Sequence, residues 1–343
     1  MQQMVKDFEL ELEQSGSAEE VQLYREVRGF LDKNLGRQVD LEAVFSIVDS
    51  IIHWSPDRLG IASLYQARRA FAAQSAESEA RLVPHTEAEV GLASRLRSRF
   101  EGFVQRKCEV PEQAVGEIEE TYGALFDNIG QRVGGTNNAG GHNHRYADWP
   151  IFTTNYDAIL EHYWIEHVRA HLNTGFGWNQ IAKMDISNPD SFRNGGLRLF
   201  KLHGSLTWLR DSDYGLTEHR VVPRDMKKWT GSKFLGQVML YPIEEKELYA
   251  EPYLTMFQHL NRELAQNRHW LALGYSFGDR FIRDIFVRNS SETNKLVILH
   301  PHPETIVPRL EGFKGAIKTV AARFGASDIR ETTQAIIQAF TRN

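Results

Sequence analysis

The sequence predicts an α/β protein, a mostly parallel sheet with helices on both faces, joined to a large helical N-terminal region and a small β-hairpin. Three observations predict it. Residues 148–343 alternate short apolar runs with amphipathic stretches, and residues 1–130 show helical periodicity throughout. Polar motifs also stand where three of the apolar runs end. Ligands of open parallel sheets bind beyond the carboxyl ends of the strands, so these motifs mark where chemistry is expected.

In the first part, Met4, Val5, Phe8 and Leu12 fall on one face of a first helix. Ser17 and Glu20 form a capping box before Val21, Tyr24, Val27 and Leu31. Asp40 is placed to cap a third helix carrying Leu41, Val44, Phe45 and Val48. Amphipathic stretches follow around 59–82, 86–106 and 111–129. Residues 133–148, with Gly134, Gly135, Gly140 and Gly141 among Asn and His, read as a long loop.

Strand–helix alternation begins after that loop. Strands are predicted at 149–154 and 197–202, with a helix over about 156–172 between them. Runs at 206–210 and 219–222 flank an Asp-Tyr-Gly turn and predict the hairpin. Further short strands are expected at 237–241, 269–274, 296–300 and 316–321, with helices at 252–266, 281–288 and 328–340. The whole chain, 1–343, is read as a single domain with a helical part, 1–130, and a strand–helix part, 148–343.

Composition narrows the function classes. With 41% hydrophobic and 25% charged residues the chain reads as an ordinary soluble globule. A net charge of −5 leaves no electrostatic footprint for direct nucleic-acid binding or an anionic membrane. No apolar run approaches the roughly 18 residues that span a bilayer, and no signal-peptide pattern is visible. The single cysteine, Cys108, excludes an internal disulfide framework and a Cys-rich zinc site, and suits a reduced, cytoplasmic protein.

The motifs carry the chemistry. The first is Thr153-Thr154-Asn155-Tyr156-Asp157, and the second is Lys201-Leu202-His203-Gly204-Ser205. The third, Gly274-Tyr275-Ser276-Phe277-Gly278-Asp279, has two readings. Ser276 and the helix amides could hold a phosphate or ribose hydroxyl, or the segment is a plain β–α turn capped by Asp279. His300 and His302 share a proline-stiffened strand end, and His142 and His144 lie in the glycine loop. The His300 pair lacks the carboxylate or thiol partner of a metal site, and the composition around His142 and His144 favours a solvated loop over a metal site, so no metal is expected.

In order, placement and separation, the three motifs resemble the sirtuin-like family of NAD-binding proteins. They resemble more closely its bacterial branch of anti-phage defence NAD hydrolases, as does Met239-Leu240-Tyr241-Pro242 with Glu244 and Glu245. The resemblance covers about residues 40–300 and implies a Rossmann-like sheet.

That resemblance implies NAD as substrate and cleavage of its nicotinamide–ribose bond, giving nicotinamide and ADP-ribose. Asn155 then hydrogen-bonds the ribose or a water near its anomeric carbon. His203 acts as general base or orients the ribose hydroxyls, and Asp157 contacts the nicotinamide amide or stabilises developing positive charge. Thr154, Tyr156, Gly204, Ser205, Gly274, Tyr275, Ser276, Asp279 and His300 are the expected contacts to the rest of the dinucleotide. Two departures matter. One cysteine cannot build the four-cysteine zinc module of sirtuin deacetylases, which disfavours protein deacylation. The family's opening strand and Gly-Ala-Gly turn are also missing, since Met1-Gln2-Gln3-Met4 runs straight into the helix that would follow them. The turn's absence favours a rival reading, a non-catalytic nucleotide-binding sensor or assembly module. Apolar helical faces in the first third predict a homo-oligomer, and the branch implies a helicase-like ATPase or Argonaute-type partner.

Overall fold

The computed structural model describes residues 2–34, 39, 41–52, 85–108, 112–133, 150–164, 167, 172–176, 181–183, 197–211, 215–219, 234–239, 252–325 and 328–341. The expectations for Asp40, the 59–82 stretch, the glycine loop with His142 and His144, and the 240–245 segment lie outside them. The chain forms two compact units, one of residues 1–108 with 240–247 and one of residues 109–239 with 248–343.

The first unit is helical: α1 Gln2–Ser15, α2 Ala18–Asn34, α3 Leu41–Ile52 and α4 Glu87–Cys108. The apolar stripe of α1 is spaced for burial, and Val5, Phe8 and Leu12 are buried. Phe8 sits at the centre, with Tyr24, Phe45, Phe100 and Phe103 at ring-centroid distances of 5.6, 5.5, 5.7 and 5.2 Å. All four pairs meet edge to face, the arrangement favoured by ring quadrupoles. The capping box forms as expected: Glu20 accepts from the Ser17 amide at 2.8 Å, and Ser17 Oγ accepts from the Glu20 amide at 3.2 Å. The Glu20 carboxylate is buried and also meets Arg99 at 2.8 Å and Arg95 at 3.6 Å, so α2 and α4 share one charge-compensated joint.

The second unit holds the strands. Two parallel three-stranded ladders run β1-β4-β2 and β10-β9-β8, from β1 Pro150–Thr153, β2 Leu172–Asn173, β4 Leu197–Lys201, β8 His269–Leu273, β9 Lys295–Leu299 and β10 Ala316–Val320. An antiparallel sheet runs β3-β6-β5-β7, from β3 Ile181–Lys183, β5 Gly204–Asp211, β6 Gly215–His219 and β7 Phe234–Met239. The predicted hairpin is β5–β6 within that sheet. The mixed α/β, Rossmann-like class is the one the sequence predicts, with differences of detail. The described part of the 237–241 run, residues 237–239, joins the antiparallel sheet instead of a parallel one. Leu172, the last residue of the predicted helix, instead forms with Asn173 a short strand that pairs with β4 on the side opposite β1.

Helices cover both faces of the ladders. Helix α5 Val115–Val133 lays Phe126 against Leu197 and Leu199 of β4 and Leu125 against Val297 and Leu299 of β9, so one helix spans both ladders. Helix α6 Ile159–Tyr163 adds Leu160 and Tyr163 to the first cluster, and α9 Ile329–Thr341 adds Ile336 and Ile337 to the second. Strand alternation sends the intervening side chains the other way. Phe200 meets His259 of α7 Tyr253–Gln266 at 4.8 Å, and Arg198 pairs with Glu263 at 2.5 Å. Trp270 meets Phe286 of α8 Arg280–Asn289 at 5.6 Å.

Burial reinforced by Asp32 raises the Tyr24 phenol above its ordinary range, and burial reinforced by Asp157 and Glu161 does the same to Tyr122. The unfolded chain then releases phenolic protons at lower pH than the folded one, so stability falls as pH rises above about 10. Denaturant titrations across that range should show a smaller alkaline loss in Tyr24→Phe/Tyr122→Phe than in the wild type. An equal loss would contradict the assignment.

Candidate active site

The motif residues stand at the carboxyl ends of parallel strands, as the sequence predicts. Thr153 pairs with Lys201 in the β1–β4 register, so Asn155 and His203 each lie two residues beyond a paired position. The segments continue side by side: the Leu202 amide donates to Thr153 O at 2.9 Å and the Leu206 amide to Tyr156 O at 3.0 Å. The Asn155 amide donates to Thr153 Oγ1 at 3.0 Å, turning the chain off β1 and leaving Asn155 exposed to solvent.

His203 is buried, and its Nε2 lies 3.1 Å from Oδ2 of Asp279. The Asp279 Oδ1 accepts from the amides of Phe281 and Ile282 at 2.9 and 3.2 Å, capping α8. Of the two readings of this motif, the cap is present, and the same carboxylate also joins the second motif to the third. The turn that delivers it is tight. Gly274 has φ 63° and Phe277 has φ 52°, a costly value for a bulky residue. Phe277 is fully buried between Tyr275 at 4.8 Å and Phe286 at 5.1 Å, and that packing holds the strained backbone.

Asp157 is tied into its own loop. Its Oδ1 accepts from the Ile159 amide at 3.1 Å at the start of α6, and its carbonyl accepts from Lys201 Nζ. Lys201 is buried and meets the Glu161 carboxylate at 2.9 Å. Sequence reading quoted Lys201 only as part of a motif and missed Glu161. The available signal was a lysine in an apolar parallel strand, which needs a charge partner when buried. Asp157 and Glu161 also act on the Tyr122 phenol, so one polar cluster underlies the Asn155 loop.

The other expected contacts are placed as follows. Ser205 is wholly buried with its hydroxyl 2.9 Å from Thr207 Oγ1, and Gly204 adopts φ 90°. Ser276 is exposed, and its carbonyl accepts from Arg309 at 3.2 Å. Thr154, Tyr156 and Tyr275 are half-buried. His300 Nδ1 accepts from the His302 amide at 3.0 Å, which stiffens the end of β9. Among the described residues no group of three or more His, Cys, Asp or Glu is arranged to hold a metal ion. No described helix is long and apolar enough to cross a membrane.

The arrangement offers a buried imidazole with a fixed partner and, from the neighbouring strand, an exposed carboxamide two residues past the paired position. A family model described as the SIR2-like domain matches residues 150–313, the stretch that contains all three motifs. Among curated proteins no match to the chain is found. Domains of that family use NAD. The strand-end motifs, the Rossmann-like ladders and the match of residues 150–313 to the SIR2-like domain model together support a sirtuin-like family.

Proposed function

We infer that this protein is an NAD glycohydrolase. The observation that carries the reading is the buried His203, held by Asp279 and displayed beyond the same paired strand ends as the exposed Asn155. In the reaction the C–N bond between ribose and nicotinamide breaks, and its electron pair leaves on the pyridine nitrogen. A water oxygen bonds to the anomeric carbon, and its proton passes to His203 and then to solvent, giving nicotinamide, ADP-ribose and a proton. Asn155 orients that water or the ribose, and Asp157 bears on the nicotinamide side, where positive charge shifts onto the sugar in the transition state.

The motif resemblance supports a setting in bacterial anti-phage defence, where a cytoplasmic homo-oligomer depletes NAD on a signal from a helicase-like ATPase or Argonaute-type partner. The test is direct. Purified protein incubated with NAD should release nicotinamide, and Asn155→Ala and His203→Ala should remove that release. Release unaffected by both substitutions overturns the proposed site. NAD binding without release would make the chain a nucleotide-binding module instead.

A further inference from the structure

A helix N-cap needs one carboxylate oxygen, and Asp279 uses only Oδ1 for that purpose, on the amides of Phe281 and Ile282. The other oxygen, Oδ2, is committed to His203 Nε2 at 3.1 Å. The two side chains are 5% and 7% exposed, so the bond is shielded from competing water. The helix N-terminus and its two amide donors favour negative charge on this carboxylate. An ionised carboxylate can only accept, so the shared hydrogen belongs to Nε2. When the imidazole is neutral, its lone pair is then on Nδ1.

We propose that Asp279 is a positioning residue for His203, fixing the ring orientation and its Nε2–H tautomer so that Nδ1 is the proton-accepting nitrogen. The surrounding structure serves this placement. Buried Phe277 holds its positive φ two residues before Asp279, and the Leu202 amide pins the chain just before His203 to the end of β1. The ring is therefore fixed from both of its attachments, its own backbone and its carboxylate partner. The proposal rests on the NAD-cleaving reading above and gives that reading a specific atom.

Two substitutions separate positioning from capping. Asn and Ser cap helices about as well as Asp, so Asp279→Asn and Asp279→Ser should both keep α8, and Asp279→Asn, which also keeps a partner for the ring, should keep a near-native thermal midpoint. In Asp279→Asn the carboxamide oxygen keeps the cap and the NH₂ donates to Nε2, which moves the ring hydrogen to Nδ1. In Asp279→Ser the side chain is too short to reach the ring. Nitrogen-15 spectra of labelled histidine, recorded without NAD, should show His203 as the Nε2–H tautomer in wild type and as Nδ1–H in Asp279→Asn. Asp279→Ser should show both tautomers. With NAD, kcat of Asp279→Asn should fall on the order of 10²-fold or more, because the base is held in the wrong tautomer. Its KM should stay within about threefold, because the lost interaction belongs to the chemical step.

A wild-type Nδ1–H tautomer, or a tautomer unmoved in Asp279→Asn, overturns the proposal. So does a reversed tautomer with kcat unchanged. The spectra need no turnover, so a wild type that releases no nicotinamide would sink the NAD-cleaving reading while leaving the positioning role to be decided by the tautomer alone.

Discussion

Replacing His203 is expected to lower nicotinamide release by about 10²–10⁴-fold, the usual contribution of a positioned general base. Alanine alone is an imperfect probe. It would strand the Asp279 carboxylate, now bonded to Nε2 at 3.1 Å, in a site where both side chains are almost fully buried. A buried charge deprived of its partner destabilises the fold, so lost activity could reflect lost structure. His203→Gln avoids the confusion, because its amide can still donate to Asp279 but cannot take a proton. The expected result is a near-native melting curve with kcat reduced as strongly as in the alanine variant. KM should change little, since the substitution removes a group that acts in the chemical step. A glutamine variant with kcat near wild type would remove His203 from the chemistry and with it the proposed mechanism.

Asn155 and His203 were legible in the sequence because a polar residue at the end of an apolar run has few structural explanations, and parallel pairing brings such ends together. Lys201 and Glu161 were not read as a pair. Their contact crosses from a strand to a helix 40 residues earlier, and no periodicity reports it. The double role of Asp279 was half visible: its position before an apolar helix predicted a cap, and nothing local announced a histidine 76 residues earlier in the chain. The fold shows the same division. Alternating short runs predicted β1, β4, β8, β9 and β10 to within a few residues. The grouping of strands into two parallel ladders and one antiparallel sheet depends on tertiary pairing, which is why the run beginning at 237 was not distinguished from the parallel strands. Leu172 was placed in the helix, and the strand it forms with Asn173 was not foreseen, because a two-residue strand after a helical pattern carries no periodicity of its own.

Lys201→Ala is expected to be among the most destabilising single changes in the second unit, by about 3–5 kcal/mol, the range for stranding one member of a buried ion pair. Lys201 is 3% exposed and Glu161 is 12% exposed at a separation of 2.9 Å, so water cannot replace the lost partner cheaply. Lys201 also donates to the Asp157 carbonyl, which fixes the loop that carries Asn155. These two roles separate in a double variant. In Lys201→Met/Glu161→Leu both charges are gone and the volume is largely kept, so chemical denaturation should recover at least half of the stability lost in Lys201→Ala. Activity should not recover, because methionine has no N–H for the Asp157 carbonyl and the Asn155 loop loses its side-chain tie to β4. If the double variant regains nicotinamide release along with stability, Lys201 serves the core alone. If it regains stability and stays inactive, the buried lysine positions the first motif for catalysis.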